Sequence, residues 1–177
     1  MRGWADRLGT LGRVVAFDYR YRREGRRTPD RLPALIAAHR EALAQARDGH
    51  AGPVFLAGKS MGGRVGCHVS LEDAVDGIIC FGYPLVGRGG SVRDEVLRRL
   101  HVPILFIQGT RDPLCPLERL AAVTPHLAAR HVLHVVEGGD HSLLVGKMAL
   151  KRQGRTQDEV DAEILAAVAS FVTRRPK

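Results

Sequence analysis

The stretch PVFLAGKSMGGRVGCHVS, residues 53–70, decides the fold. Pro53 to Ala57 is a short apolar run of strand length. Gly62 to Ser70 is rich in small residues and reads as a helix. Between them, Gly58-Lys59-Ser60-Met61-Gly62 turns the chain sharply from one to the other. A serine at the centre of a strand–turn–helix sits on strained backbone, with its hydroxyl held clear of the sheet. Gly58 and Gly62 are expected to be required because strand and helix approach too closely for a Cβ. The same turn places the Met61 N–H in the first turn of the helix, where it can face an anion.

Four more apolar runs lie on either side of this stretch: RVVAFDY at 13–19, GIICFGY at 77–83, PILFIQ at 103–108 and HVLHVV at 131–136. Helical patterns separate them. One lies over Trp4–Leu11. A second opens at Asp30 and carries Leu32, Leu35, Ile36, His39 and Leu43 on one stripe. Ser91 and Asp94 form a capping box ahead of Val96, Leu97 and Leu100. Pro116 suits the first turn of a helix running to Val123. Thr156 and Glu159 cap a last helix with Val160, Ile164, Val168, Phe171 and Val172 on one face. Strands alternating with helices, and nearly continuous in their apolar character, predict an α/β fold. The expected architecture is one domain over 1–177, with a mostly parallel sheet of about five strands and helices on both faces.

The 177 residues are 45% apolar and 26% charged, which excludes disordered, collagenous and coiled-coil chains. No apolar run approaches the roughly 18–20 residues that cross a bilayer. The first residues lack the apolar core of a signal peptide. Cys67, Cys80 and Cys115 are odd in number and widely spaced, which predicts reduced thiols in a cytoplasmic protein. The net charge of +8 permits binding to nucleic acid or an anionic surface. However, only Lys59, Lys147, Lys151 and Lys177 are lysines, and the arginines are scattered. The dense stretch from Arg20 to Arg31 reads as a solvated loop. Nucleic acid is therefore not the expected partner.

Ligands of parallel sheets bind beyond the carboxyl ends of the strands. Three residues at such ends suit one another chemically. A serine hydroxyl becomes a nucleophile when a base takes its proton, and the base must be oriented by a third group. Ser60 follows the run at 53–57, Asp112 follows 103–108, and His141 follows 131–136. Taken alone, Asp112 reads equally well as a cap for the turn before Pro113. The order Ser…Asp…His is the one this fold type uses.

These segments carry a resemblance. GKSMGGR (58–64), GIICFGYPL (77–85), PILFIQGTRDPLC (103–115), GGDHSL (139–144) and QGRTQDEVDAEI (153–164) resemble the α/β-hydrolase superfamily. More narrowly, the chain is similar over nearly its whole length to small bacterial hydrolase-like proteins of the testis-expressed protein 30 type, many labelled dienelactone hydrolase-like. The resemblance implies a Ser60–Asp112–His141 triad, an oxyanion site including the Met61 amide, and a nucleophile elbow framed by Gly58 and Gly62. Dienelactone hydrolases use cysteine as nucleophile, so serine at position 60 argues against carrying that substrate over.

The superfamily builds its second oxyanion donor on a loop after an earlier strand, which should precede Trp4. The sequence therefore reads as truncated at its N-terminus. The missing strand would lie between 13–19 and 53–57, so its loss should leave a gap there or force those strands together. Loss of one oxyanion donor costs about 2.7–4 kcal/mol of transition-state stabilisation. The 177-residue chain is accordingly expected to be poorly stable and nearly inactive.

Other readings are weaker. A phosphate-binding loop would need glycine where Pro53 stands. His131 and His134 lie three apart on a strand, hence on opposite faces, which does not suit a metal. Cys115 reads as a small buried residue. Tyr83, Leu85, Leu114, Leu143 and Leu144 are candidates to line an open site without a cap domain. The expected function is hydrolysis of a small carboxylic ester or thioester by a serine hydrolase with no cofactor and no metal. The expected partner is that small-molecule ester, not a membrane, and the oligomeric state is left open. A catalytically idle α/β-hydrolase-like interaction domain is the alternative.

Overall fold

A computed structural model describes residues 2–173. The elements run α1 (Arg2–Gly9), α2 (Arg20–Arg23), α3 (Leu32–Arg47), β1 (Phe55–Lys59), α4 (Met61–Val69), β2 (Gly77–Phe81), α5 (Glu95–Arg98), β3 (Ile104–Gly109), α6 (Leu117–Val123), β4 (His131–Val136), α7 (Lys147–Gln153) and α8 (Gln157–Thr173). The four strands form one parallel sheet in the order β1-β2-β3-β4. Its register sets Gly58 beside Cys80 and aligns Gly109 with Val136. The elements that follow the strands are thereby gathered along one rim.

β2 and β3 are buried on both faces, as their unbroken apolar sequences require. Ile79, Phe81, Leu105 and Ile107 meet Val160, Ile164, Val168 and Phe171 of α8. Ile78, Cys80, Ile104 and Phe106 turn the other way, toward Cys67, Leu97, Leu100 and Leu120. The capping box at the start of α8 forms as read. Glu159 accepts the Thr156 N–H at 2.7 Å, and the Thr156 hydroxyl accepts the Glu159 N–H at 3.2 Å. Among the described residues, no helix is long and apolar enough to cross a membrane.

Three expectations need correction. Residues 13–19 are not a strand, so the sheet has four strands where about five were expected. Among the described residues β1 is an edge of the sheet, and this segment does not pair with it. Val14 and Phe17 remain partly exposed, and Phe17 and Tyr19 lean on His39 of α3 instead. The Ser91–Asp94 capping box also fails. The Val86–Val92 bridge and the Arg93 N–H to Leu85 carbonyl bond draw 91–93 into a loop closure. The Asp94 carboxylate turns to Arg98, and α5 is only four residues long. Finally, α2 and α7 form where no helix was expected; α7 stops at Gly154, whose left-handed φ of 62° suits glycine.

His39 is 5% exposed between α3 and α4. Burial lowers its pKa from 6.5 to about 4, so it is neutral in the folded chain. Between these values the unfolded chain binds more protons, so stability falls as pH drops through the window. The His39 contribution to that loss is roughly 2 kcal/mol at pH 5 relative to pH 7. Urea midpoints at the two pH values, compared with His39→Asn, should show a smaller acid loss in the variant. Equal losses would remove His39 from the account.

Candidate active site

β1 ends at Lys59 and α4 begins at Met61, leaving Ser60 alone to make the turn. Its φ of 52° and ψ of −119° lie outside the regions open to an unstrained L-residue. The Ser60 N–H donates to the Phe81 carbonyl at 3.0 Å, which fixes the turn to the end of β2. Ser60 is the N-cap of α4, yet its hydroxyl does not cap the helix. The Met61 N–H belongs to the first-turn amides that an α-helix leaves without a carbonyl of its own.

The glycine expectation holds at one position and moves at the other. A Cβ on Gly58 would lie 2.3 Å from the Gly62 carbonyl carbon and 2.4 Å from the Gly63 nitrogen. A Cβ on Gly62 would meet nothing within 4 Å. Gly63 is the close neighbour instead, with its Cβ position 2.9 Å from Cys80 Sγ and from the Gly58 oxygen. The helix rotates 100° per residue, so the position facing the strand is one further along than the pattern suggested.

Asp112 stands in the turn after β3, with its side chain fully buried. Its Oδ1 accepts the Leu114 N–H at 2.8 Å, the turn-capping role read for it alone. Its Oδ2 accepts from Gln108 Nε2 at 2.6 Å and lies 2.8 Å from His141 Nδ1. Burial pushes this carboxyl up, but hydrogen bonds from His141, the Leu114 amide and Gln108 outweigh it and hold Asp112 below the usual carboxylate range. Gln108 is itself completely buried, and its Oε1 accepts the Tyr83 N–H at 3.2 Å.

His141 rides on a loop that closes on itself. Gly139 and Val145 form a bridge, and Asp140 Oδ1 accepts the N–H groups of Ser142 (2.7 Å) and Leu144 (3.0 Å). Gln157 of α8 donates to the Leu143 carbonyl at 3.2 Å and accepts from the Val145 N–H at 3.0 Å. Lys59 reaches across from β1 and donates to Ser142 Oγ at 2.7 Å. The loop needs glycine where it meets the sheet, since a Cβ on Gly109 would sit 2.2 Å from the Gly139 oxygen. Held this way, His141 Nε2 lies 2.8 Å from Ser60 Oγ. With Nδ1–H donated to Asp112, Nε2 accepts the hydrogen bond of the Ser60 hydroxyl.

The remaining expectations divide. Tyr83, Leu85 and Leu143 are at most 2% exposed and belong to the core, so they do not line the site. Leu114 and Leu144 are exposed beside it. Cys115 is fully buried, with its thiol pushed up to about 12 chiefly by burial and then by the Asp112 charge. His131 is exposed on edge strand β4, whereas His134 is half-buried. Sequence reading missed Gln108, although one polar residue ending the run PILFIQ was the available signal. It also missed the Lys59–Ser142 and Gln157 ties, which no local pattern announces.

A family model described as an alpha/beta hydrolase domain matches residues 1–173. Among solved structures, an α/β serine hydrolase homologue from Coxiella burnetii aligns with a TM-score of 0.60 at 19% identity, covering 79% of this chain and 66% of that one. A hydrolase from Thermoplasma acidophilum, described as CIB-like, aligns at 0.56 and 21% identity, covering 89% and 64%. A cold-adapted esterase from an Arctic intertidal metagenomic library aligns at 0.62 and 19% identity, covering 96% and 76%. The chain thus spans slightly less than two thirds of the Coxiella and Thermoplasma proteins, and at these identities the likeness is one of fold.

The glycine geometry is tested by three single substitutions followed by thermal unfolding. Gly62→Ala should be neutral or stabilising by about 0.5–1 kcal/mol, as alanine replaces glycine in a helix. Gly58→Ala and Gly63→Ala should each destabilise by about 1–3 kcal/mol, because neighbouring atoms must move. A Gly62→Ala loss larger than that of Gly63→Ala would contradict the packing described. From the match over nearly its whole length, and from the parallel sheet with its strand–serine–helix turn, the chain belongs to the α/β-hydrolase family.

Proposed function

We propose that this chain is a serine hydrolase acting on a small carboxylic ester or thioester through an acyl-enzyme. The observation that carries this reading is the unbroken line Ser60 Oγ, His141 Nε2, His141 Nδ1, Asp112 Oδ2, with 2.8 Å at each of its two hydrogen bonds. His141 takes the Ser60 proton as the oxygen attacks the carbonyl carbon. The negative charge that develops on the carbonyl oxygen is met by the Met61 N–H at the head of α4. The tetrahedral intermediate then collapses, and the leaving alcohol or thiol takes its proton from His141. Water, activated by the same imidazole, releases the acid and restores Ser60. Asp112 orients the ring and stabilises its cation, and Gln108 orients Asp112.

The exposed apolar residues Val92, Leu114, Leu144 and Met148 follow strands β2, β3 and β4. They support a substrate with an apolar portion. The whole of 1–177 is proposed to act as one such domain. Within the superfamily, the motifs favour kinship with testis-expressed protein 30 and the dienelactone hydrolase-like proteins. Ser60 makes lactone hydrolysis by a thiolate inapplicable. An idle interaction domain would have no use for a strained serine held against a paired imidazole.

Hydrolysis of p-nitrophenyl acetate tests the reading. Ser60→Ala and His141→Ala should each lower kcat by roughly 10³-fold or more, and Asp112→Asn by up to about 10⁴-fold. The Ser60→Ala/His141→Ala double variant should fall no further than either single change, because the residues act as a unit. Full hydrolysis by correctly folded Ser60→Ala would end the proposal.

A further inference from the structure

A cavity of about 200 Å³ opens beside α4, lined by Arg64, His68, Ser91, Val92, Arg93, Glu95 and Val96. Arg64 and His68 are four apart and share one face of α4. The opposing wall is the arm after β2, and it is firmly built. Its Arg93 N–H donates to the Leu85 carbonyl at 2.8 Å, and the buried Tyr83 hydroxyl donates to the Arg93 carbonyl at 3.1 Å. Arg64 Nε and His68 Nε2 are both buried and have no hydrogen-bond partner. The Nε–H of arginine can only donate, and a dry donor without an acceptor is costly, especially on a charged group. His68 Nε2 donates or accepts according to the ring's tautomer, so the demand for an acceptor comes from Arg64 Nε. The lining carries two guanidiniums against the single carboxylate of Glu95, while Arg99 lies near enough to act on His68. The field therefore favours an anion.

The cavity lies along the helix that Ser60 opens. The Arg64 backbone N–H donates to the Ser60 carbonyl at 3.2 Å, so Arg64 follows Ser60 by four residues, about 6 Å along the helix axis. Val92 and Val96 supply an apolar wall for a short methylene chain. We propose that this cavity is a carboxylate-binding site and that the preferred ester carries a second, free carboxylate, as in a monoester of a short dicarboxylic acid. Arg64 is the principal contact, suited by its planar fork to a carboxylate. The substrate assignment rests on the serine-hydrolase reading; the anion site itself does not.

Two measurements test it. In Ser60→Ala protein, titration with glutarate, followed by the ring-proton NMR signals of His68, should give a saturable shift. That affinity should weaken about tenfold or more in Ser60→Ala/Arg64→Gln, the loss expected of a charge-assisted hydrogen bond. In active protein, the ratio of kcat/KM for the p-nitrophenyl monoester of glutarate to that for p-nitrophenyl butyrate should fall about tenfold in Arg64→Gln and recover in part in Arg64→Lys. The ratio within each variant is insensitive to the fraction folded. Inorganic phosphate that shifts His68 while glutarate does not would overturn the carboxylate assignment. Ester turnover with no glutarate shift and an unchanged ratio would overturn the site and leave the hydrolase reading standing. Glutarate binding without turnover of either ester would uphold the site and remove the hydrolase reading.

Discussion

The contact between Ser60 Oγ and His141 Nε2 joins residues 81 positions apart, and the rest of the molecule can be understood as the means of holding it. A hydrogen bond between two partly exposed side chains contributes only about 1 kcal/mol by itself. It cannot assemble the rim. The parallel register does that, through two strands buried on both faces and packed between α8 on one side and α4, α5 and α6 on the other. The loops inherit their positions from strand ends that have no freedom to slide, because a slip of one residue would exchange the side chains packed against α8 with those packed against α4, α5 and α6.

Local costs are concentrated around the Ser60–His141 contact. Ser60 holds an unfavourable backbone conformation, and Gly58, Gly63 and Gly109 forgo side chains so that backbones can touch. Asp112 is a carboxylate with no access to water, a state that would be strongly disfavoured without compensation. Three donors supply it: the Leu114 amide, Gln108 and His141. Gln108 is held in turn by the Tyr83 amide, so the polar chain continues from the histidine into the middle of the sheet. A partly satisfied network here would be worse than none. Among the described residues, Arg64 Nε and His68 Nε2 are buried without a hydrogen-bond partner, and they lie elsewhere, in the cavity along α4.

Much of this was legible in the sequence because it is carried by local signals. Unbroken runs such as GIICFGY and PILFIQ can only be buried strands in an alternating chain, and Thr156 with Glu159 announces the last helix within four residues. Ser60, Asp112 and His141 could be picked out because each follows a strand. What local pattern could not supply was the outcome of competition between segments. RVVAFDY has strand composition, but a strand exists only with a neighbour, and its aromatic residues settle on His39 instead. Ser91 and Asp94 have cap spacing, but the Val86–Val92 bridge claims that backbone first. The shift of the tight glycine from 62 to 63 depends on helix phase against β2, which the five-residue motif does not encode. The ties from Lys59 and Gln157 to the histidine loop are long-range and leave no local trace.

The central claim is that Ser60 is made nucleophilic by His141. Treatment with a fluorophosphonate, followed by intact mass and peptide mapping, tests it most directly, since such reagents react with an activated serine and need no knowledge of the substrate. The account predicts a single adduct on Ser60, slowed by orders of magnitude in His141→Ala. An adduct on another residue, or Ser60 labelling at an unchanged rate in His141→Ala, would contradict it.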